Sequence, residues 1–186
     1  MYTYGSKKYG GKKVKLININ DLKNYTRSSP CFKLSVNTNR YYMNGDTLAS
    51  LLGAMLECSY DDYTFNGFSN EIGKSTGGSH SHKSGYNGDF RYLRKDKSGG
   101  KLNLSYNKKV DDVEGWKELD IERQEKFNDA LYGFGWKSMI SQKYGTSGSK
   151  QLLKRCTEDK KKHQHYDHLH IQGYANDFIK IIKIYE

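Results

Sequence analysis

The sequence predicts an α+β fold in which helices flank a small antiparallel β-sheet. Two segments space their apolar residues at helical intervals, and several shorter segments alternate polar and apolar residues as strands do. Glycine-rich and polar stretches separate these segments. At 186 residues the chain is long enough for one domain with its own core, which we assign to residues 14–186, after a flexible lead-in over residues 1–13.

The first half of the chain contains one clear helix. It is predicted over Thr47–Glu57, where five apolar side chains lie at helical spacing, with Asp46 as its N-cap. A loop rich in glycine and serine follows at Gly73–Ser79. Three short segments of this half are predicted strands: Val14–Ile19, Phe32–Val36 and Tyr63–Phe68.

The second half adds a longer helix, predicted over Asp120–Phe134. A turn at Tyr144–Lys150 and a short helix over Gln151–Lys161 are predicted after it. The apolar segment Ala175–Tyr185 fits a helix or a strand equally well. The predicted strands of this half are Asp89–Leu93, Trp136–Ser141 and His168–Gln172.

The composition indicates a folded, basic protein. Lys and Arg number 31 against 21 Asp and Glu, which gives a formal net charge of +10. Such a charge attracts nucleic acid, anionic lipid or an anionic cell wall, and it is also explained by a soluble protein from a lysine-rich proteome; the charge alone does not distinguish these. The 16 tyrosines add large side chains that can fill a core, which argues against a disordered chain.

Several classes of protein are disfavoured. The chain has three cysteines, Cys31, Cys58 and Cys156, and no two of them form a C-x2-C pair. Neither a disulfide scaffold nor a cysteine zinc site is therefore predicted. A single disulfide bond is still possible in an oxidising compartment. The longest apolar-rich stretch, Leu48–Leu56, is nine residues and is too short to span a bilayer. The basic first residues precede no apolar segment, so no secretory signal is predicted.

Two motifs, far apart in the chain, supply side chains that bind metals. The first is an H-x6-D pattern formed by His82 and Asp89. Gly85 and Gly88 lie between these residues and are expected to give the backbone the freedom for a turn that brings the two side chains together.

The second motif is an H-x2-H-x-H pattern formed by His165, His168 and His170. Residues two apart on a strand project from the same face, so His168 and His170 are predicted side by side. One imidazole can then bind a metal while the other transfers protons. Together the motifs supply two imidazoles and a carboxylate for one Zn²⁺ ion, and three protein ligands with an open fourth position are typical of catalytic zinc.

The two motifs, in this order, resemble those of the zinc peptidases of the lysostaphin / D-Ala-D-Ala peptidase / Sonic hedgehog superfamily. The later motif is most similar to that of the penicillin-insensitive murein endopeptidases. The D-Ala-D-Ala peptidases usually have Ser two residues before the first histidine and Ala two residues before the aspartate, where this chain has His80 and Asn87. Those peptidases also use a glutamate base that has no counterpart here, which favours a histidine base.

The resemblance implies a zinc site and a catalytic pair. The ligands would be His82, Asp89 and His170. His168 would act as the general base or stabilise the transition state, and His165 would be a second catalytic imidazole. Zinc would lower the pKa of its bound water to about 7 and polarise the scissile carbonyl, and a neutral imidazole would take the proton.

Three residues near the motifs are candidates for contact with the substrate: His80, Tyr86 and Tyr166. Asp167, inside the second motif, is interpreted as a solvated loop carboxylate in preference to a partner of an imidazole.

By resemblance, the chain is expected to be a zinc-dependent endopeptidase or carboxypeptidase that cleaves cross-links or stem peptides of bacterial peptidoglycan. It would be an antibacterial effector toxin or a phage-type lysin that acts in the periplasm or cell wall of a target bacterium. An immunity protein or a secretion machinery would be its partner, with no nucleic acid.

Two alternatives stay open. One is a zinc-containing cell-wall binding module without catalysis. The other is a basic nuclease that depends on a metal. The positive charge favours the nuclease, whereas the H-x-H pattern on a strand does not.

Overall fold

A computed structural model describes residues 2–5, 13–22, 33–75, 81–160 and 164–175. Within these ranges the chain has two α-helices, α1 (Gly45–Cys58) and α2 (Ile121–Gly133), together with thirteen strands, so the predicted α+β class is confirmed. The strands are β1 (Tyr2–Gly5), β2 (Lys13–Asn18), β3 (Leu34–Val36), β4 (Tyr42–Asn44), β5 (Tyr63–Gly67), β6 (Gly88–Arg91), β7 (Leu102–Asn103), β8 (Glu114–Gly115), β9 (Trp136–Ser141), β10 (Tyr144–Thr146), β11 (Ser149–Gln151), β12 (Cys156–Glu158) and β13 (His168–Tyr174).

The largest sheet has six strands in the order β12-β9-β13-β6-β5-β3. Its four central strands are antiparallel, as the sequence predicts. Its two edge strands run parallel to their neighbours, β12 to β9 and β3 to β5, so the sheet as a whole is mixed. The sheet is therefore larger than predicted and antiparallel only at its centre.

The pairing of β13 with β6 separates a buried core face from a polar face. Leu169 lies opposite Phe90, and His170 lies opposite Asp89. Because successive side chains of a strand point to opposite faces, Phe90 and Leu169 enter the core while Asp89 and His170 share the other face. Phe90 and Leu169 are each at most 1% exposed.

Both helices contribute to the core. The Phe127 ring of α2 contacts the rings of Phe90 and Tyr63, with centroid distances of 5.9 and 4.8 Å. Helix α1 packs on α2 where Gly53 faces the Phe134 ring, and a Cβ atom at Gly53 would lie 2.3 Å from that ring. The helices therefore cover the face of the sheet opposite Asp89 and His170. Neither helix of the described chain is long and apolar enough to cross a membrane.

A second, three-stranded sheet has the order β1-β2-β4 and is antiparallel. Its first strand, Tyr2–Gly5, falls within the segment predicted as a flexible lead-in, and it pairs with Lys13–Asn18. The lead-in thus contributes a strand, which the sequence analysis did not predict. The assignment of residues 14–186 to a single domain stays a prediction.

Two local predictions are wrong. The N-cap of α1 is Asn44 in place of Asp46: Asn44 has extended backbone, and its Oδ1 accepts a hydrogen bond of 2.9 Å from the Asp46 N–H. The segment Gln151–Lys161, predicted as a helix, contains the end of β11 and the whole of β12. Its apolar side chains are too few to build a buried helical face, whereas β9 offers a free edge for β12 to pair with.

The other strong patterns agree with the structure. The predicted strand Trp136–Ser141 is β9, and the predicted helix Asp120–Phe134 contains α2 with Asp120 as its N-cap. The turn predicted at Tyr144–Lys150 is the β10–β11 hairpin. The segment Ala175–Tyr185 lies outside the described residues except for Ala175.

Candidate metal centre

The chain between His82 and Asp89 turns sharply against α1. A 3-10 turn at Lys83–Gly85 follows His82, and Gly85 has a positive φ of 68°. A Cβ atom at Gly85 would lie 2.6 Å from the backbone nitrogen of Asn44, so only glycine fits there. The Gly85 carbonyl also accepts a hydrogen bond of 2.9 Å from the Thr47 hydroxyl.

Gly88 is required because a side chain at this position would not fit. Its backbone needs no positive φ, but a Cβ atom on it would lie 2.0 Å from the Phe68 ring. The prediction that both glycines supply backbone freedom is therefore correct for Gly85 and wrong for Gly88. Together they bring Asp89 onto β6 directly opposite His170 of β13.

Three electron-pair donors converge at this point. His82 Nε2 lies 3.2 Å from Asp89 Oδ1 and 3.2 Å from His170 Nδ1. His170 Nδ1 lies 2.8 Å from Asp89 Oδ1. The three residues are buried, with exposures of 1%, 5% and 3%. This cluster can hold a metal ion.

The spacing of the donors fits a metal ion. In a tetrahedral site with zinc–ligand bonds of about 2.0–2.1 Å, neighbouring ligand atoms lie about 3.3 Å apart. The three donor pairs, at 2.8 to 3.2 Å, need to open by only a few tenths of an ångström. The lone pairs of two imidazoles and a carboxylate repel one another when they meet at one point, so a shared cation, either a metal ion or protons, stabilises the arrangement.

The second nitrogen of His170 is held in place by an amide. His170 Nε2 lies 3.3 Å from Gln172 Oε1, and Gln172 in turn donates a hydrogen bond of 3.2 Å to the Ser138 hydroxyl. Ser81 Oγ lies farther away, 3.5 Å from the same nitrogen. An N–H on Nε2 leaves Nδ1 free for a metal, and metal-binding histidines usually donate their other N–H in this way.

The environment of His82 is different. Its Nδ1 atom lies 3.3 Å from an Arg40 guanidinium nitrogen, 42 residues earlier in the chain. Arg40 therefore places a positive charge beside the metal cluster. The sequence analysis missed Arg40, because nothing in its neighbouring residues distinguishes it from the other arginines.

Two groups of this cluster have shifted pKa values. Burial lowers the pKa of His82. Burial opposes the ionisation of Asp89, but hydrogen bonds from His170 and His82 outweigh it and hold the pKa of this carboxyl far below its usual range. A neutral imidazole and an ionised carboxylate are the forms that bind metals.

His168 lies beside the cluster, and its imidazole has its own carboxylate partner. Its Nε2 atom is 3.5 Å from Asp89 Oδ1, and its Nδ1 atom is 2.7 Å from Asp167 Oδ1. The interpretation of Asp167 as a solvated loop carboxylate is therefore wrong. Burial lowers the pKa of His168, but the hydrogen bond to Asp167 and the charge of Asp89 outweigh it, so the pKa is raised.

His165 is the fifth member of the group. Its ring centroid lies 5.0 Å from that of His168 and 5.3 Å from that of His170. Its Nδ1 atom lies 2.9 Å from Asp159 Oδ2. The structure thus brings together all five residues of the predicted ligand set and catalytic pair: His82, Asp89, His165, His168 and His170.

The residues predicted to contact the substrate lie in different parts of the chain. His80 lies outside the described residues. Tyr86 packs against Leu16 and Tyr42, on the three-stranded sheet. Their roles in substrate binding stay predictions.

Tyr166 lines a surface depression with a volume of about 490 Å³. Asp167 forms part of the same wall, so the depression reaches the partner of His168. Three further residues line the depression, none of which was predicted as a site residue: Asn103 at the end of β7, and Ser105 and Tyr106 after it.

Neither a protein-family model nor a curated protein matches this chain. The site is therefore interpreted from its own residues and their geometry.

Proposed function

We propose that this chain is a zinc-dependent peptidase that hydrolyses peptide bonds of bacterial peptidoglycan. The observation that carries the proposal is the convergence of His82, Asp89 and His170 on one point, with the His168 imidazole 3.5 Å from Asp89. Two imidazole nitrogens and one carboxylate oxygen suit zinc, and catalytic zinc sites have three protein ligands.

The residues around the cluster suit hydrolysis. When bound, a zinc ion supplies a Lewis acid that lowers the pKa of water and polarises a carbonyl group. The Asp167 carboxylate holds the hydrogen of a neutral His168 on Nδ1, so Nε2 presents a lone pair toward the cluster and can accept a proton. The protonated His168 can then pass that proton to the leaving amine, and His165 lies beside it as a second imidazole.

Arg40 supports the same chemistry by its charge. Its guanidinium lies 3.3 Å from the His82 ring, so it favours negative charge that develops at the cluster.

The substrate class rests on the resemblance of the two motifs to those of the murein peptidases. The net charge of +10 suits an anionic cell wall. The depression beside Tyr166 and Asp167 offers room for a peptide next to His168. We propose that the protein acts in the periplasm or cell wall of a target bacterium, as an effector toxin or phage-type lysin, with an immunity protein or secretion machinery as its partner.

The direct test is incubation of the purified, zinc-loaded protein with peptidoglycan sacculi, followed by mass spectrometry of the muropeptides. We expect new fragments that differ from the starting material by cleavage of one peptide bond. Their masses distinguish an endopeptidase from a carboxypeptidase. Unchanged muropeptides in the presence of zinc would contradict the proposal, and a parallel incubation with plasmid DNA and magnesium tests for a nuclease.

A His168→Ala variant separates an enzyme from a zinc-containing binding module. We expect this variant to keep its zinc and to lose turnover, because His168 is not among the three ligands. Binding of sacculi by the wild-type protein without any cleavage would instead favour the binding module.

A further inference from the structure

Asp159 follows the edge strand β12, and its carboxylate faces a histidine of the site. Asp159 Oδ2 lies 2.9 Å from His165 Nδ1, and both side chains are largely buried, with exposures of 8% and 14%. His165 comes six positions after Asp159 in the chain. No sequence motif includes Asp159.

Two buried side chains hold the backbone on either side of this contact. Gln142 donates hydrogen bonds to the carbonyls of Asp159 and Gln164, at 3.2 and 3.1 Å. The Tyr92 hydroxyl donates a hydrogen bond of 2.8 Å to the His165 carbonyl. Gln142 and Tyr92 are 6% and 1% exposed. The position of His165 is therefore set by hydrogen bonds from two buried residues that are distant from it in the sequence.

The backbone conformation of His165 has a conformational free-energy cost. His165 has a positive φ of 62°, in the left-handed region that few residues other than glycine adopt, although asparagine, aspartate and histidine adopt it more often than the rest. Such strain persists where the surrounding structure imposes it, and it often occurs at functional sites. Here the imposed conformation puts the His165 ring against those of His168 and His170.

The Asp159 contact also selects one form of the His165 ring. A neutral imidazole carries a single N–H, and a carboxylate at Nδ1 keeps that hydrogen on Nδ1. Nε2 then has a free lone pair.

We propose that Asp159 is a positioning residue for His165 and that it fixes the ring as the Nδ1–H tautomer. The site would then contain two imidazole–carboxylate pairs, Asp159–His165 and Asp167–His168, next to one metal cluster. The catalytic consequence rests on the proposed peptidase function, whereas the tautomer does not.

Nitrogen-15 NMR of the histidine rings tests the tautomer without any substrate. In the zinc-loaded wild-type protein above neutral pH, we expect His165 to carry its hydrogen on Nδ1. An Asp159→Ala variant should change to the Nε2–H form or a mixture, whereas Asp159→Asn, which keeps an acceptor oxygen, should retain Nδ1–H. A wild-type His165 with its hydrogen on Nε2 would overturn the proposal, even if the alanine variant fails to fold.

The matched control is Glu158→Ala. Glu158 is the neighbouring carboxylate, and it is half-exposed. Its Oε2 atom forms an ion pair with Lys143 Nζ at 2.7 Å, and this pair does not involve the histidines. We expect this variant to keep the wild-type tautomer, zinc content and turnover. A change of the His165 tautomer in Glu158→Ala would mean that any loss of charge near the end of β12 has the same effect, which would overturn a specific role of Asp159.

Kinetics test the consequence for catalysis. If Asp159 acts through His165, Asp159→Ala should lower kcat at least tenfold with KM nearly unchanged, and it should have no further effect in a His165→Ala background. Equal losses in both backgrounds would overturn the role through His165. Absence of any turnover in the wild-type protein would contradict the proposed function and leave the NMR result to decide the positioning role.

Discussion

Asp89 is the residue on which the candidate site converges, because a single oxygen atom, Oδ1, lies close to three imidazoles. The distances to His170, His82 and His168 are 2.8, 3.2 and 3.5 Å. A buried carboxylate in contact with two buried imidazoles can neutralise part of the charge of a divalent ion. His168 is the nearest group that is left for proton transfer.

The amide of Gln172 is expected to tune metal binding through His170. In a Gln172→Ala variant the His170 Nε2–H loses its acceptor at 3.3 Å, so the ring is less firmly oriented and less basic. We predict that metal affinity falls about 10- to 100-fold, as measured by competition with a zinc chelator. The control is Ser81→Ala, since Ser81 lies 3.5 Å from the same nitrogen and should matter less. Equal affinities of wild type and Gln172→Ala would contradict this role.

The three residues that could hold a metal ion were recognisable in the sequence, whereas most of their partners were not. His82, Asp89 and His170 stand in two recognisable spacings. Asp167 directly precedes His168, so it was a possible partner in the sequence, but its side-chain orientation was not predictable. Asp159 lies six positions before His165 and belongs to no motif, so no local pattern reveals their contact.

At the scale of elements, the register of β13 on β6 builds the site. A shift by one residue would turn His170 into the core and Leu169 toward Asp89. The apolar pair formed by Leu169 and Phe90 therefore fixes the position of the two ligands on the other face.

Gly88→Ala is expected to disturb this register. The new methyl group would lie 2.0 Å from the Phe68 ring, which is fully buried and stacked on Phe65. Overpacking of this kind costs about 1–3 kcal/mol, so we predict a lower free energy of unfolding in urea and weaker metal binding.

The matched control is Gly133→Ala. Gly133 ends α2, and a methyl group there would meet nothing within 4 Å. Its stability should stay unchanged or rise, because alanine favours helix more than glycine does. Equal losses of stability in the two variants would show that the contact of Gly88 with Phe68 is not the cause.

The elements with strong periodicity were predictable, and weakly patterned ones were not. The alternation in His168–Gln172 predicts a strand, and β13 is one, although Leu169, His170 and Ile171 are all buried, so both faces of the strand are covered there. Gln151–Lys161 has no such pattern, so its structure depends on the free edge of β9. The strand Tyr42–Asn44 was missed because three buried residues are too few for any period.

In the molecule as a whole, the residues that form the core and the residues of the candidate site lie on opposite faces of the largest sheet. Aromatic side chains between the sheet and the helices form the core, and the histidines lie on the other face of the sheet. The side chains of His165 and His168 are 14% and 20% exposed, more than the three ligand residues. These two imidazoles are therefore the most exposed side chains of the five.

Zinc is expected to stabilise the folded chain. At a free concentration 100 times Kd, a ligand that binds only the folded state adds about 2.7 kcal/mol, which thermal denaturation detects as a higher Tm. His170→Ala should show little increase in Tm with zinc.

The increase in Tm should shrink in acid. Burial lowers the pKa of His82 below its ordinary value of 6.5, so this neutral ring contributes stability that is present above pH 6.5. That contribution is lost as the pH falls through the folded-state pKa, where protons also displace the metal. An equal increase in Tm with zinc well below pH 6.5 would contradict the assignment of His82 as a ligand.

The most direct test of the account is a calorimetric titration of the metal-free protein with zinc, repeated on His82→Ala, Asp89→Ala and His170→Ala. We predict one zinc ion per chain in the wild-type protein and a large loss of affinity in each variant, with a His168→Ala control that still binds zinc. Wild-type protein that binds no zinc, or variants that bind it as tightly as the wild type, would contradict the claim that these three side chains hold one metal ion.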